Sequence, residues 1–201
     1  MKHLLFLGDS ITDCDHSFDP ENLGYGYVRM IHRACLTSGQ SCQITNKGFD
    51  GFTLSALKRL WKRDGHQLSI DCLTILIGIN DIGVIFNTGL EPEFALAEFR
   101  SGYRRLIEDI RFVYHGPIIL MEPFLFPYPE RYKLRFDAVR KMNAIIAAIA
   151  EEYQVGFLPL WDMLLSEARL HGYQELTTDG IHLTPYGHQL LAQKWFDSVK
   201  L

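Results

Sequence analysis

Ser10 stands just beyond the apolar run Leu4-Leu5-Phe6-Leu7, in the stretch Gly8-Asp9-Ser10-Ile11-Thr12-Asp13. A short continuous apolar run ended by glycine reads as a strand buried on both faces, which puts Ser10 on the turn leaving its carboxyl end. There a serine offers its hydroxyl and its own backbone N–H to the crevice in which open α/β sheets bind ligands. A serine hydroxyl is a poor nucleophile near neutral pH until a base takes its proton, and the usual base is a histidine held in one tautomer by a carboxylate. The far end of the chain supplies such a pair, Asp179 and His182 in Thr177-Thr178-Asp179-Gly180-Ile181-His182-Leu183-Thr184-Pro185. Across so short a turn the carboxyl group reaches the imidazole nitrogen that faces away from the serine.

Attack on an ester carbonyl places negative charge on its oxygen, so N–H groups must be fixed where that charge develops. Each is worth roughly 10² to 10³ in rate. Gly51 and Asn80 stand at two further strand ends and fit this need, the first through an accessible backbone and the second through its side-chain amide. The same residue types also make turns and helix caps, and Thr184 before Pro185 is itself a good N-cap. Asp9 adjoins Ser10, but its side chain is expected to point away and hold the turn.

Strands and helices alternate along the chain. Strands are expected at Leu4–Leu7, Cys42–Asn46, Ile70–Ile77, Ile118–Glu122 and Val155–Leu158. Helices are expected over Tyr25–Thr37, Thr53–Lys62, Pro92–Tyr114, Arg131–Tyr153 and Pro185–Val199. The two longest carry apolar stripes: Ala95, Phe99, Tyr103, Leu106, Ile110 and Val113 in one, Phe136, Val139, Met142, Ile146 and Ile149 in the other. The pattern predicts an α/β three-layer sandwich, a five-stranded parallel sheet with helices on both faces and the flavodoxin-like order 2-1-3-4-5.

The 201 residues suit a single domain spanning 1–201, and no repeat or linker divides them. A net charge of −4 with interspersed signs argues against nucleic acid or an anionic membrane as partner. Cys14, Cys35, Cys42 and Cys72 show no Cys-x-x-Cys spacing and read as reduced thiols. The amino terminus has too few apolar residues for a signal-peptide core, and no run approaches the ~20 of a spanning helix, so a cytoplasmic enzyme is expected.

Taken jointly, Gly8-Asp9-Ser10-Ile11, Asn46-Lys47-Gly48-Phe49-Asp50-Gly51, Gly78-Ile79-Asn80-Asp81 and Asp179-Gly180-Ile181-His182 resemble, in order, the sequence blocks of the SGNH hydrolases, also called GDSL esterases and lipases. The resemblance spans nearly the whole chain. It implies Ser10 as nucleophile and oxyanion donor, Gly51 and Asn80 as the other two donors, His182 as base and Asp179 as the group that orients it. No cofactor or metal is implied. The second block departs from the family pattern, because Phe52 precedes Thr53 where Asp or Asn usually does. That leaves Gly48 as the alternative to Gly51.

A closer likeness, to intracellular acetylxylan esterases and related carbohydrate deacetylases, rests on Leu5–Cys14, Leu23-Gly24-Tyr25-Gly26-Tyr27-Val28, Trp61 and Ile119-Leu120-Met121-Glu122-Pro123-Phe124. It implies a small ester substrate, with acetylated oligosaccharides as candidates, and a homo-oligomer. Phe86, Phe124, Phe126, Tyr128 and Tyr132 are available either to line the crevice mouth or to cover helix ends and a subunit interface. The segments Val84–Pro92 and Pro123–Arg131 look short and proline-interrupted, so a shallow acyl pocket is expected. Three alternatives remain: a lysophospholipase or thioesterase for longer acyl groups; a metal-dependent phosphoesterase using Asp9, Asp13, Asp81, Asp179, His182 and His188; and a degenerate ligand-binding domain. A complete set of catalytic residue types argues against the last.

Overall fold

The computed structural model describes residues 1–65 and 69–200. Five strands, β1 (Lys2–Gly8), β2 (Cys42–Gly48), β3 (Cys72–Leu76), β4 (Ile118–Met121) and β5 (Gly156–Leu158), form one parallel sheet in the order β2-β1-β3-β4-β5. The expected class and strand order are both realised. In β1 the residues Leu4 to Leu7 are buried, and all of β3 is, as strands covered on both faces require.

Nine helices occur among the described residues: α1 (Ser10–Asp13), α2 (Tyr27–Thr37), α3 (Leu54–Asp64), α4 (Ile79–Thr88), α5 (Pro92–Val113), α6 (Phe136–Glu152), α7 (Trp161–His171), α8 (Tyr173–Leu176) and α9 (Pro185–Ser198). Right-handed crossovers place α2 on one face and α3, α5 and α6 on the other. The packing follows, with α2 against α9 and α5 against both α3 and α6. Trp195 of α9 is fully buried, packs against Phe6 with the rings tilted and their centroids 5.4 Å apart, and donates its indole N–H to Thr74 Oγ1 of β3 at 3.1 Å. That contact seats the last helix on the middle of the sheet.

Several expectations are corrected. The segment after β3 is the helix α4 rather than a loop, with Ile79, Ile82 and Ile85 buried. The helices α1, α7 and α8 were not anticipated. A 3₁₀ turn, Glu130–Arg135, precedes α6, whose start moves to Phe136. In the α5 stripe Val113, the last residue of the helix, is exposed.

The strand register positions the site. Gly8 pairs with both Gly48 and Leu76, so the carboxyl ends of β1, β2 and β3 are level. Whatever follows these three strands meets at one edge of the sheet.

Candidate active site

Ser10 is the first residue of α1, directly after β1. Asp9 is the N-cap: its Oδ1 accepts from Ile11 N–H at 3.1 Å, and the residue is buried, so its side chain turns inward as expected. Ser10 is left half-buried with its hydroxyl outward. Its own N–H, at the first position of a helix, has no acceptor among the described residues.

The Ser10 hydroxyl lies 2.9 Å from His182 Nε2, and His182 Nδ1 lies 2.6 Å from Asp179 Oδ2. Burial alone would raise the Asp179 carboxyl. Hydrogen bonds from the His182 ring and from the backbone N–H groups of His182 and Ile181 outweigh that and hold it below the ordinary carboxylate range. An ionised carboxylate only accepts, so Nδ1 carries the proton and Nε2 is free to accept from the Ser10 hydroxyl. The side chains of His182 and Asp179 are 47% and 48% exposed, so the row opens directly to solvent.

The turn carrying His182 is tightly specified. Thr177 bridges Leu183 in antiparallel fashion, and both Thr177 Oγ1 and Thr178 N–H donate to the His182 carbonyl. Gly180 has φ +96°, and a Cβ there would come within 1.8 Å of the Tyr128 carbonyl oxygen. Only glycine lets the segment after β4 press so closely on this turn, where Gly180 O accepts from Phe126 N–H at 2.9 Å.

Gly51 and Asn80 arrive at the same edge. Gly51 has φ +69° in the turn that Phe52 N–H closes on Phe49 O, and its own N–H has no acceptor among the described residues. The Gly48 N–H is already donated to Asn46 Oδ1 at 2.9 Å, and a Cβ on Gly48 would meet Asp13 N at 2.2 Å. Gly48 therefore allows α1 to pack on β2, which leaves Gly51 as the glycine with an N–H to offer. Asn80 Nδ2 donates one N–H to Phe52 O at 3.0 Å and keeps a second. The arrangement can deprotonate a hydroxyl and receive a developing oxyanion.

A model of the GDSL-like lipase/acylhydrolase family matches residues 6–190. The chain belongs to that family. It is a carboxylic ester hydrolase. Among its relatives is an acetylxylan esterase of Geobacillus stearothermophilus, 29% identical over 98% of this chain and 94% of the relative. A crystal structure of that organism's acetylxylan esterase superposes with a TM-score of 0.85 at 27% identity, covering 100% of this chain and 94% of the other. A putative GDSL-like lipase from Parabacteroides merdae shares the fold, with a TM-score of 0.84 at 24% identity over 98% and 94% of the two chains.

Other expectations for this GDSL-family hydrolase are revised by packing. Phe124 and Phe126 are fully buried and belong to the core, not to the crevice mouth. Tyr128 stays partly exposed and Tyr132 half-buried, both against Gly180; Phe86 lies on α4 with the Arg135 guanidinium over its ring. The six residues of the metal alternative do not converge, and among the described residues no three His, Cys, Asp or Glu side chains are placed to hold an ion. Asp81 instead accepts from Leu54 N–H at 3.0 Å, and burial pushes its carboxyl up to about 6. His188 Nδ1 accepts from Tyr27 N–H at 3.2 Å, and burial pulls its imidazole down to about 4.

Asp13, expected above only as a metal ligand, and His16, not singled out, pair beside the Gly51 turn. The Asp13 carboxyl accepts from His16 Nδ1 at 2.6 Å, from His16 N–H at 3.1 Å and from Asp50 N–H at 3.0 Å. The signal was present, because Asp13-Cys14-Asp15-His16 has the same spacing as Asp179-Gly180-Ile181-His182.

Proposed function

We propose that this hydrolase works through an acyl-enzyme formed on Ser10 and removes acetyl or other short acyl groups from small carbohydrates. The observation that carries the mechanism is the Ser10 Oγ to His182 Nε2 distance of 2.9 Å, with Asp179 on the opposite nitrogen. Ser10 Oγ attacks the ester carbonyl carbon as His182 Nε2 takes its proton. The resulting oxyanion faces the N–H groups of Ser10, Gly51 and Asn80. Collapse breaks the carbon–oxygen bond to the alcohol, which leaves with the proton held by His182. A water then gives its proton to His182 and attacks the acyl carbon, and collapse releases the acid and restores the Ser10 hydroxyl. The domain acts as one catalytic unit over 1–201, and its four free thiols accord with a reducing cytoplasm.

The sugar assignment is supported by the acetylxylan esterase relative, of which serine-to-alanine and aspartate-to-alanine catalytic mutants have been solved, and by an exposed Asp179–His182 pair that leaves room for a bulky alcohol. One feature favours a longer acyl group instead: a groove of about 440 Å³ between α3, α4 and α5, lined by Leu54, Ile85, Leu90, Phe94 and Phe99 and sharing Asp81 and Thr53 with the surroundings of the site. Ser10 and His182 do not line it.

Initial rates on aryl esters from acetyl to octanoyl, beside an acetylated xylo-oligosaccharide, decide between the two. Each buried methylene could add up to ~0.8 kcal/mol if the groove took the chain. Acetyl is expected to have the highest kcat/KM, with acetate released from the oligosaccharide. Octanoyl exceeding acetyl by about tenfold would overturn the short-acyl reading. In the same assay Ser10→Ala should lose at least ~10³ in turnover while folding normally, and a phosphonate probe should label only the wild type. Full activity in Ser10→Ala would end the acyl-enzyme proposal.

A further inference from the structure

Resting on the reading of Gly51 as an oxyanion donor, we propose that Asp13, oriented by His16, is a positioning residue that sets the Gly51 N–H relative to Ser10. Asp13 closes the short helix that Ser10 opens, so the two side chains belong to one rigid turn, Ser10–Asp13. From there the Asp13 carboxyl crosses to the neighbouring strand end, where Oδ2 accepts the backbone N–H of Asp50 at 3.0 Å. Asp50 immediately precedes Gly51, and the peptide between them carries the Gly51 N–H. The bond holds the preceding peptide, Phe49–Asp50, and so anchors the chain entering the turn one peptide before the Gly51 N–H.

The other carboxyl oxygen is fully used. Oδ1 accepts from His16 N–H at 3.1 Å and from His16 Nδ1 at 2.6 Å, so Asp13 cannot rotate away from Asp50 without giving up both. His16 is itself buried and meets the Phe49 ring edge-on at 5.5 Å, and Phe49 stacks on Phe52 at 4.8 Å. Phe49 and Phe52 are the two ends of the Gly51 turn, closed by Phe52 N–H on Phe49 O at 3.2 Å. His16 thus braces the turn through packing while holding the carboxyl that orients it.

The far side of the turn is held separately. Asn80 Nδ2 donates to Phe52 O at 3.0 Å and Asp81 accepts Leu54 N–H at 3.0 Å, which anchors the chain leaving the turn to the end of β3. The Asp13 bond is on the peptide adjoining Asp50–Gly51, whereas the second clamp begins at the Phe52 carbonyl, two peptides further on. With Gly51 at φ +69° and no atom within 4 Å of a Cβ position, the turn has space in which to reorient. By anchoring the entering peptide the Asp13 bond limits that freedom, and an oxyanion donor contributes only when it is fixed beforehand.

The experiment pairs kinetics with the Gly51 amide resonance, using a boronic acid that forms a tetrahedral adduct on serine as the probe. In wild type the adduct should move the Gly51 amide proton downfield. Asp13→Ala should reduce that shift and lower kcat by roughly ten- to a hundredfold, with KM within about twofold and an unchanged pH profile. His16→Gln should give a smaller loss of the same kind. If the alanine variant does not fold, Asp13→Asn, which keeps the shape and one acceptor oxygen, is read the same way with about a tenfold loss expected. A full Gly51 shift and wild-type kcat in the Asp13 variant would overturn the positioning role and leave Gly51 as a donor. Absence of the shift in wild type would overturn both.

Discussion

Ser10 and His182 lie 172 residues apart in the chain, yet their side chains meet at 2.9 Å on the carboxyl edge of the sheet. The distance is set by two elements anchored independently. Ser10 is held by β1 and the Asp9 cap, and His182 by the Thr177–Leu183 bridge and the start of α9, where Thr184 Oγ1 caps Gly187 N–H. Among the described residues the two local turns share no hydrogen bond besides the Ser10–His182 contact itself, so the roles of these residues can be separated by substitution.

Asp179 accepts from His182 Nδ1 at a half-exposed position and contributes little packing. Asp179→Asn is therefore expected to lower turnover by roughly 10³ to 10⁴, because an amide donor at Nδ1 favours the wrong tautomer. Its melting temperature should stay near that of wild type. Comparing kcat with thermal denaturation checks this, and a variant that melts early but turns over normally when folded would reverse the assignment.

Gly48 and Gly51 should fail in different ways. Alanine at Gly48 would drive its Cβ to 2.2 Å from Asp13 N, a backbone clash that costs about 1–3 kcal/mol of stability. Alanine at Gly51 meets no atom within 4 Å but disfavours φ +69°, and relief of that strain turns the peptide and its N–H. Denaturant unfolding and initial rates together should show Gly48→Ala losing mainly stability and Gly51→Ala losing mainly kcat, by roughly 10².

Burial pushes Asp9 up to about 7, against the lowering effect of the Ile11 N–H bond. Between the ordinary carboxyl value near ~4 and that value the folded chain binds more protons than the unfolded one, so its stability falls as pH rises through the window. His188 acts with the opposite sign. Held neutral down to about 4, it binds fewer protons than in the unfolded chain, and stability is lost as pH falls below its ordinary value of ~6.5. Asp9→Asn keeps an acceptor for Ile11 and removes the titration. Its melting temperature should match wild type near pH 4 and exceed it by a growing margin toward pH 8. Parallel curves for the two proteins across that range would refute a raised Asp9.

Much of this architecture was legible before any coordinates. Short apolar runs marked the strands, the first and third ended by glycine, 3.6-residue stripes marked α5 and α6, and alternation of the two required a parallel sheet. These signals are local, arising from burial of one face or both faces of a single element. The helix α4 was not legible, because Gly83 and the Asn87-Thr88-Gly89 end interrupt a short stripe and only packing on α5 and α6 stabilises it. The burial of Phe124 and Phe126 was equally hidden, since the sequence does not say which way an aromatic in a connecting segment faces.

The site divides along the same line. The chain contains two Asp-x-x-His pairs, Asp13 with His16 and Asp179 with His182, and in both the ring Nδ1 sits 2.6 Å from the carboxyl. That contact is a property of the spacing and is written into the sequence twice. Which pair faces the Ser10 hydroxyl is decided by tertiary structure alone. Level strand ends, Gly8 beside Gly48 and Leu76, and the seating of α9 on the sheet through Trp195 carry the second pair to Ser10, while the first turns under the Gly51 turn. Local hydrogen bonds need only neighbouring residues, whereas a contact across 172 residues exists only once the whole hydrogen-bonded ladder and its covering helices are in place.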